Sequence, residues 1–147
     1  MKRIIQMKTK IISKILLSLG LMFVLGSAIT QVHGEDQKLP VVTIHSTGDV
    51  TRGKTGSFVL DMKPAVMFGG TYVNFSVSGT AIPGVDYVAL ISPAYIGQSG
   101  YGTILVKTLP DPRGPFNLQA YSVVVTLEPG LGYAVGIPSS ATMWIKP

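Results

Sequence analysis

Residues 71–78 read TYVNFSVS, with Val73, Phe75 and Val77 on one side and Tyr72, Asn74, Ser76 and Ser78 on the other. A period of two is the mark of a strand with one face buried and the other in water. The same grammar extends outward from this stretch. VVTIHS (41–46), SFVLDM (57–62), YVALIS (87–92), YGTILVKTL (101–109), AYSVVVTLEP (120–129) and SATMWIKP (140–147) are β-branched or alternating runs. In the run 120–129, Tyr121, Val123, Val125 and Leu127 share one face. Between the runs lie breakers such as Lys63-Pro64 and PDPRGP (110–115), which cannot continue a ladder because proline has no N–H to donate. No helical periodicity occurs beyond residue 34. About seven short strands at regular spacing predict an all-β fold, an immunoglobulin-like two-sheet antiparallel β-sandwich.

The first residues follow a different grammar. Lys2, Arg3, Lys8, Lys10 and Lys14 precede the apolar run ILLSLGLMFVLGSAI (15–29), with no acid among them. A basic start, an apolar run shorter than the ~20 residues needed to span a bilayer, and small residues near Gly34 predict a secretory signal peptide over 1–34. A short exposed lead-in (35–39) and one domain (40–147) follow. The expected location is periplasmic or extracellular, with no stable membrane span once the signal is cleaved. The chain has no cysteine, so neither a lipid anchor on cysteine nor a disulfide framework is available.

The formal charge of +5 belongs to that leader. From residue 35 onward Lys38, Arg52, Lys54, Lys63, Lys107, Arg113 and Lys146 are balanced by Glu35, Asp36, Asp49, Asp61, Asp86, Asp111 and Glu128. A neutral domain lacks the basic patch that neutralises phosphates, which argues against nucleic acid as a partner. Catalysis has little to work with either. His45 is the single histidine beyond the leader, and there is no Gly-x-Ser-x-Gly elbow and no metal-ligand spacing of His and Cys. The expectation is a non-enzymatic domain.

Three segments resemble, in order, the Calx-beta family of β-sandwich domains. They are GKTGSFVLDM (53–62), VNFSVSGTAIPGVDYV (73–88) and VVVTLEPGLGYAVGIPSSATMWI (123–145). The residues carry their own physics beside the resemblance. Gly79 and Gly84 offer backbone freedom at a short connection, Pro83 stiffens the corner, and Pro129-Gly130 suits a type II turn with glycine at positive φ. Tyr133 and Trp144 read as core or rim packing with one polar handle each.

The resemblance implies calcium, held by carboxylates gathered from several loops at one end of the sandwich. Asp86 matches the family's Gly-x-Asp-Tyr turn, Asp49 lies near the acidic position of the first loop, and Asp111 stands in the third acidic region. Thr51, Leu118 and Tyr121 fall where the family carries glutamates, and Arg52 and Arg113 add opposing charge nearby. Calcium seeks six to eight oxygens, several of them charged, so the set Asp49, Asp86 and Asp111 implies at most a weak Ca²⁺ site and no other cofactor. The alternative for Asp86 is a turn residue that accepts nearby backbone N–H groups.

A second candidate surface is the loop 92–102, where Tyr95 and Tyr101 sit among small polar residues. Aromatics in that setting suit a sugar ring or a protein partner. The expected function is an exported, non-catalytic module with a structural or protein-interaction role. The alternatives are a weak calcium-binding module and a small carbohydrate-binding module. Strand edges offer a further route, self-association by strand addition.

Overall fold

The computed structural model describes residues 38–66 and 68–147, so the expected signal peptide and most of the lead-in lie outside the described residues. Among the described residues ten strands run in order: β1 (Val41–Ser46), β2 (Val50–Thr51), β3 (Thr55–Lys63), β4 (Thr71–Val73), β5 (Phe75–Ser78), β6 (Ala94–Ile96), β7 (Tyr101–Lys107), β8 (Tyr121–Leu127), β9 (Ala134–Val135) and β10 (Ser140–Lys146). They form a six-stranded sheet, β4-β6-β7-β3-β1-β9, and a four-stranded sheet, β2-β10-β8-β5. The fold is the expected two-sheet β-sandwich, antiparallel except for two short parallel pairings, β1 with β9 and β10 with β2.

The period of two sets which side chains meet in the core. Phe58, Leu60 and Met62 of β3, Ile104 and Val106 of β7, and Val42 and Ile44 of β1 face inward from the larger sheet. Val123, Val125 and Leu127 of β8 meet them from the smaller sheet, with Met143 and Ile145 of β10. Full burial of each such side chain contributes about 1.5–3 kcal/mol before entropy is counted, which suffices for a domain without disulfides.

The opening stretch is not one strand. The chain passes from the larger sheet to the smaller at Asn74, between β4 and β5. Val73 and Phe75 keep their inward direction through the crossing. Side chains replace the ladder there. The Asn74 N–H donates to the Tyr133 hydroxyl at 3.0 Å, the Phe75 N–H donates to Ser92 Oγ at 3.0 Å, and the Asn74 carbonyl accepts from the Glu128 N–H at 2.9 Å. A buried backbone group needs such a partner wherever the sheet cannot supply one.

Further expectations also differ from the structure. The run 87–92 is not a strand: Tyr87 is buried and the Val88 N–H bonds the Lys107 carbonyl at 2.9 Å, after which the chain leaves β7. The strand lies further on, at β6, because Pro93 ends the departure and Ala94 and Ile96 offer the inward pair. At Pro129-Gly130 the positive φ belongs to Gly132 (82°), not Gly130. Glycine is needed at 130 for a different reason, since a Cβ there would stand 2.6 Å from the Tyr133 ring. Gly79 and Gly84 do adopt positive φ, 118° and 79°.

Candidate functional site

At one end of the sandwich the loop 79–88 folds over the loops carrying Arg52 and Asp111. The turn around Gly84 is tight. The Val85 and Asp86 N–H groups both donate to the Ile82 carbonyl, at 3.1 and 2.8 Å, and the Gly84 N–H donates to the Tyr87 carbonyl at 2.8 Å. Asp86 closes it by accepting the Ile82 N–H on Oδ2 at 2.8 Å, while its own carbonyl accepts from Leu109 N–H at 2.9 Å. Of these, the Ile82 N–H bond to Oδ2 is the one that a turn residue at Asp86 is expected to make.

The carboxylate does more than close a turn. It is fully buried, and two arginines converge on it. Arg52 Nη2 and Arg113 Nη1 both reach Oδ1 at 2.6 Å, and Arg113 Nη2 reaches Oδ2 at 3.1 Å. Asp111 completes the group. Its Oδ1 accepts from Arg113 Nη1 at 3.2 Å and from the Arg113 N–H at 3.0 Å, and its Oδ2 accepts from Asn117 Nδ2 at 2.7 Å. Arg52 Nε lies 3.3 Å from Asp111 Oδ2 without hydrogen-bonding geometry, and that buried nitrogen has no hydrogen-bond partner among the described residues.

Tyr121 forms one wall of the cluster. The Arg113 guanidinium sits 4.2 Å and the Arg52 guanidinium 5.6 Å from its ring centroid, within cation–π range. Two cations and two carboxylates therefore balance in a largely buried site, with only the Arg113 side chain substantially open to water.

The electrostatics follow from these contacts. The Arg113 hydrogen bond, helped by Arg52 and the Ile82 N–H, holds the Asp86 carboxyl well below the usual carboxylate range against the cost of burial. Asp86 in turn raises Arg113. Burial opposes ionisation of Asp111, yet the Arg113 N–H, Asn117 and the Arg113 guanidinium outweigh it and lower its carboxyl too.

The three aspartates read from the sequence do not meet at one point. Asp86 and Asp111 share the arginines, whereas Asp49 belongs to a separate contact. It accepts the Trp144 N–H at 3.2 Å and pairs with Lys146 Nζ at 2.7 Å, and the Lys146 bond, then the Trp144 bond, lowers its carboxyl. Among the described residues no group of three or more His, Cys, Asp or Glu side chains is arranged around a metal position.

Tyr95 and Tyr101 both point outward from the larger sheet and are more than half exposed. Tyr95 lies on β6 rather than in a loop, and its ring pairs with that of Tyr72 at 5.2 Å between centroids and 52° between planes. Gly70 leaves room for the Tyr95 ring, since any Cβ there would collide with it. Tyr72 completes an aromatic group that the spacing of the tyrosines alone does not reveal. His45 is exposed on β1. No helix among the described residues is long and apolar enough to cross a membrane.

The architecture is that of a Calx-beta-like β-sandwich. The chain is similar to the crystal structure of CBD12 from CALX1.2, with a TM-score of 0.58 at 15% identity over 72% of this chain and 44% of that one. It is also similar to the calcium binding domain CBD12 of CALX1.1, with a TM-score of 0.51 at 18% identity over 70% of this chain and 43% of that one. The chain thus spans less than half the length of either structure. No family model matches the sequence, and no curated protein matches it. At these identities the likeness is one of fold.

In the sequence Arg52 and Arg113 read only as opposing charge, and nothing there marks Asn117 and Tyr121 as their partners. A usable signal was present, because each arginine sits within two or three residues of an acid or of a position where the resemblance expects one.

Proposed function

We propose that this chain is an exported, non-catalytic interaction module whose loop end is closed by arginines in place of a metal ion. The observation that carries the reading is the occupancy of Asp86. Its two oxygens take four donors, three of them guanidinium N–H groups. Calcium would need those same oxygens, and it would have to sit beside two fixed positive charges. The donor set does not fit a calcium ion. Tyr121 and Arg52 also suit a guanidinium cluster, lying at or beside positions where the Calx-beta resemblance expects glutamates. Support for export comes from the leader pattern of residues 1–34.

The role of the cluster is rigidity: it ties three loops together at a fixed geometry, leaving strand faces and other loops to engage partners. Thermal unfolding in chelator, then in millimolar calcium, tests this. The expected result is an unchanged Tm. Calcium at ~100 times its Kd would add about 2.7 kcal/mol of stability. A rise of several degrees that is lost in Asp86→Asn would replace this reading with a calcium module.

A second reading is favoured by the exposed tyrosines. Tyr72 and Tyr95, with Tyr101 on the same outer face, offer ring surface for a glycan. Retention on immobilised polysaccharide, lost in a Tyr95→Ala, Tyr101→Ala double variant, is its expected signature; equal retention of both proteins removes it.

A further inference from the structure

A cleft of about 420 Å³ opens between β7 and the segment that links Tyr87 to β6, reaching inward to the core residues Phe75, Ala94 and Ile104. Its origin lies in the ladder. The Tyr101 and Lys107 carbonyls accept from the Gly97 and Val88 N–H groups on the same side of β7. Main-chain groups alternate along a strand, so those of Leu105 face that side as well. The residue that would stand opposite, by continuing the Ile96–Gly102 register, is Pro93, which has no N–H. The neighbouring chain bows outward there and a cleft opens.

Aliphatic side chains supply much of the lining, and Tyr95, Thr103 and Lys107 add polar groups. Val88, Leu90 and Ile91 line it from the bowed segment and Leu105 from the strand. Ile91 is 85% exposed and Leu105 62%, so a continuous apolar surface meets water at this point. A surface of that kind on a folded domain marks an interaction site. Thr103 and Lys107 line the cleft from the same face of β7, four residues apart, a span of about 13 Å. Tyr95 stands at the Thr103 end and Lys107 at the other. Lys107 is the single charged residue lining the cleft, and it forms no ion pair among the described residues.

A ligand complementary to this arrangement is long, apolar and anionic at one end. The size lies in the ~300–1,000 Å³ range of small-molecule sites. We propose that the cleft binds a monomeric aliphatic carboxylate, with its chain between Leu105 and the 88–91 segment and its carboxylate on Lys107 Nζ. This inference is independent of the arginine cluster, which lies at the end of the sandwich.

The test is calorimetric titration of the purified protein with decanoate below its micellar concentration, and in parallel with decanol, which has the same chain and no charge. Single-site saturable binding of decanoate is expected. Lys107→Gln should weaken decanoate by about ten-fold, the loss of one charge-assisted hydrogen bond, and leave decanol unchanged. Leu105→Asp should abolish both, and Ile91→Asp does the same from the opposite wall should the first variant fold poorly. Several results overturn the proposal: no saturable decanoate binding, equal affinity in Lys107→Gln, or full binding in both wall variants. Concentration-dependent dimerisation of the native chain that is lost in Ile91→Asp also overturns it, because the surface is then an interface between copies.

Discussion

Replacing Asp86 by asparagine changes almost no volume and removes one charge. In the native domain this carboxylate is fully buried, and its neighbours Arg52 and Arg113 have side chains 9% and 29% exposed. Asparagine keeps one acceptor oxygen and turns the other into an NH₂ donor. Whichever way the amide is oriented, that donor faces an N–H, of a guanidinium on one side or of Ile82 and Arg113 on the other. Asp111 alone then faces two guanidinium charges. Breaking a buried pair from one side costs about 3–5 kcal/mol. At roughly 4 °C per kcal/mol for a domain of this size, the Tm falls by ~12–20 °C. Urea unfolding followed by circular dichroism gives the same quantity as a shift in midpoint at constant slope. Asp49→Asn is the internal control. Its pair with Lys146 is solvent-exposed, so its loss should be far smaller than that of Asp86→Asn. A loss below ~1 kcal/mol for Asp86→Asn would refute the reasoning, because the cluster would then behave as an ordinary surface ion pair.

Acid should act through the same residues. The folded-state values of Asp86 and Asp111 lie below their unfolded values, so their stabilisation is fully present above the unfolded carboxylate pKa, about 3.9. It is lost as pH falls from there through the folded values. The midpoint of urea unfolding should therefore hold steady near neutrality and decline below about pH 4, with a shallower decline in Asp86→Asn. A steep loss between pH 5 and 7 would contradict this. Tyr133→Phe removes a buried hydroxyl that donates to the Glu128 carbonyl at 2.6 Å and accepts the Asn74 N–H. The unpaired Asn74 N–H should cost about 1–3 kcal/mol in equilibrium unfolding. Gly130→Ala, which drives a Cβ into the Tyr133 ring, should destabilise by a similar amount, about 1–3 kcal/mol, read in the same experiment.

The alternation in residues 71–78, 101–107 and 121–127 determines which side chains are inward without any tertiary information, and the observed core follows it. A period of two survives even where the chain changes sheets, since Val73 and Phe75 stay inward across Asn74. The crossing itself is not legible, because it depends on Tyr133 and Ser92 arriving from elsewhere to satisfy two N–H groups. The same limit applies to the run 87–92. Its composition suits a strand, but its place beside β7 is decided by Pro93 having no donor to offer. At the site, the mix of acids and arginines in the loops at near-balanced charge is legible in the chain, as is the turn around Asp86. That Arg52, Arg113 and Tyr121 converge on one buried carboxylate, while Asp49 pairs with Lys146 instead, follows from how the loops pack. Strand pattern is a local property of the chain. The meeting of charges from residues 52, 86 and 113 depends on how the two sheets pack, and no local period encodes it.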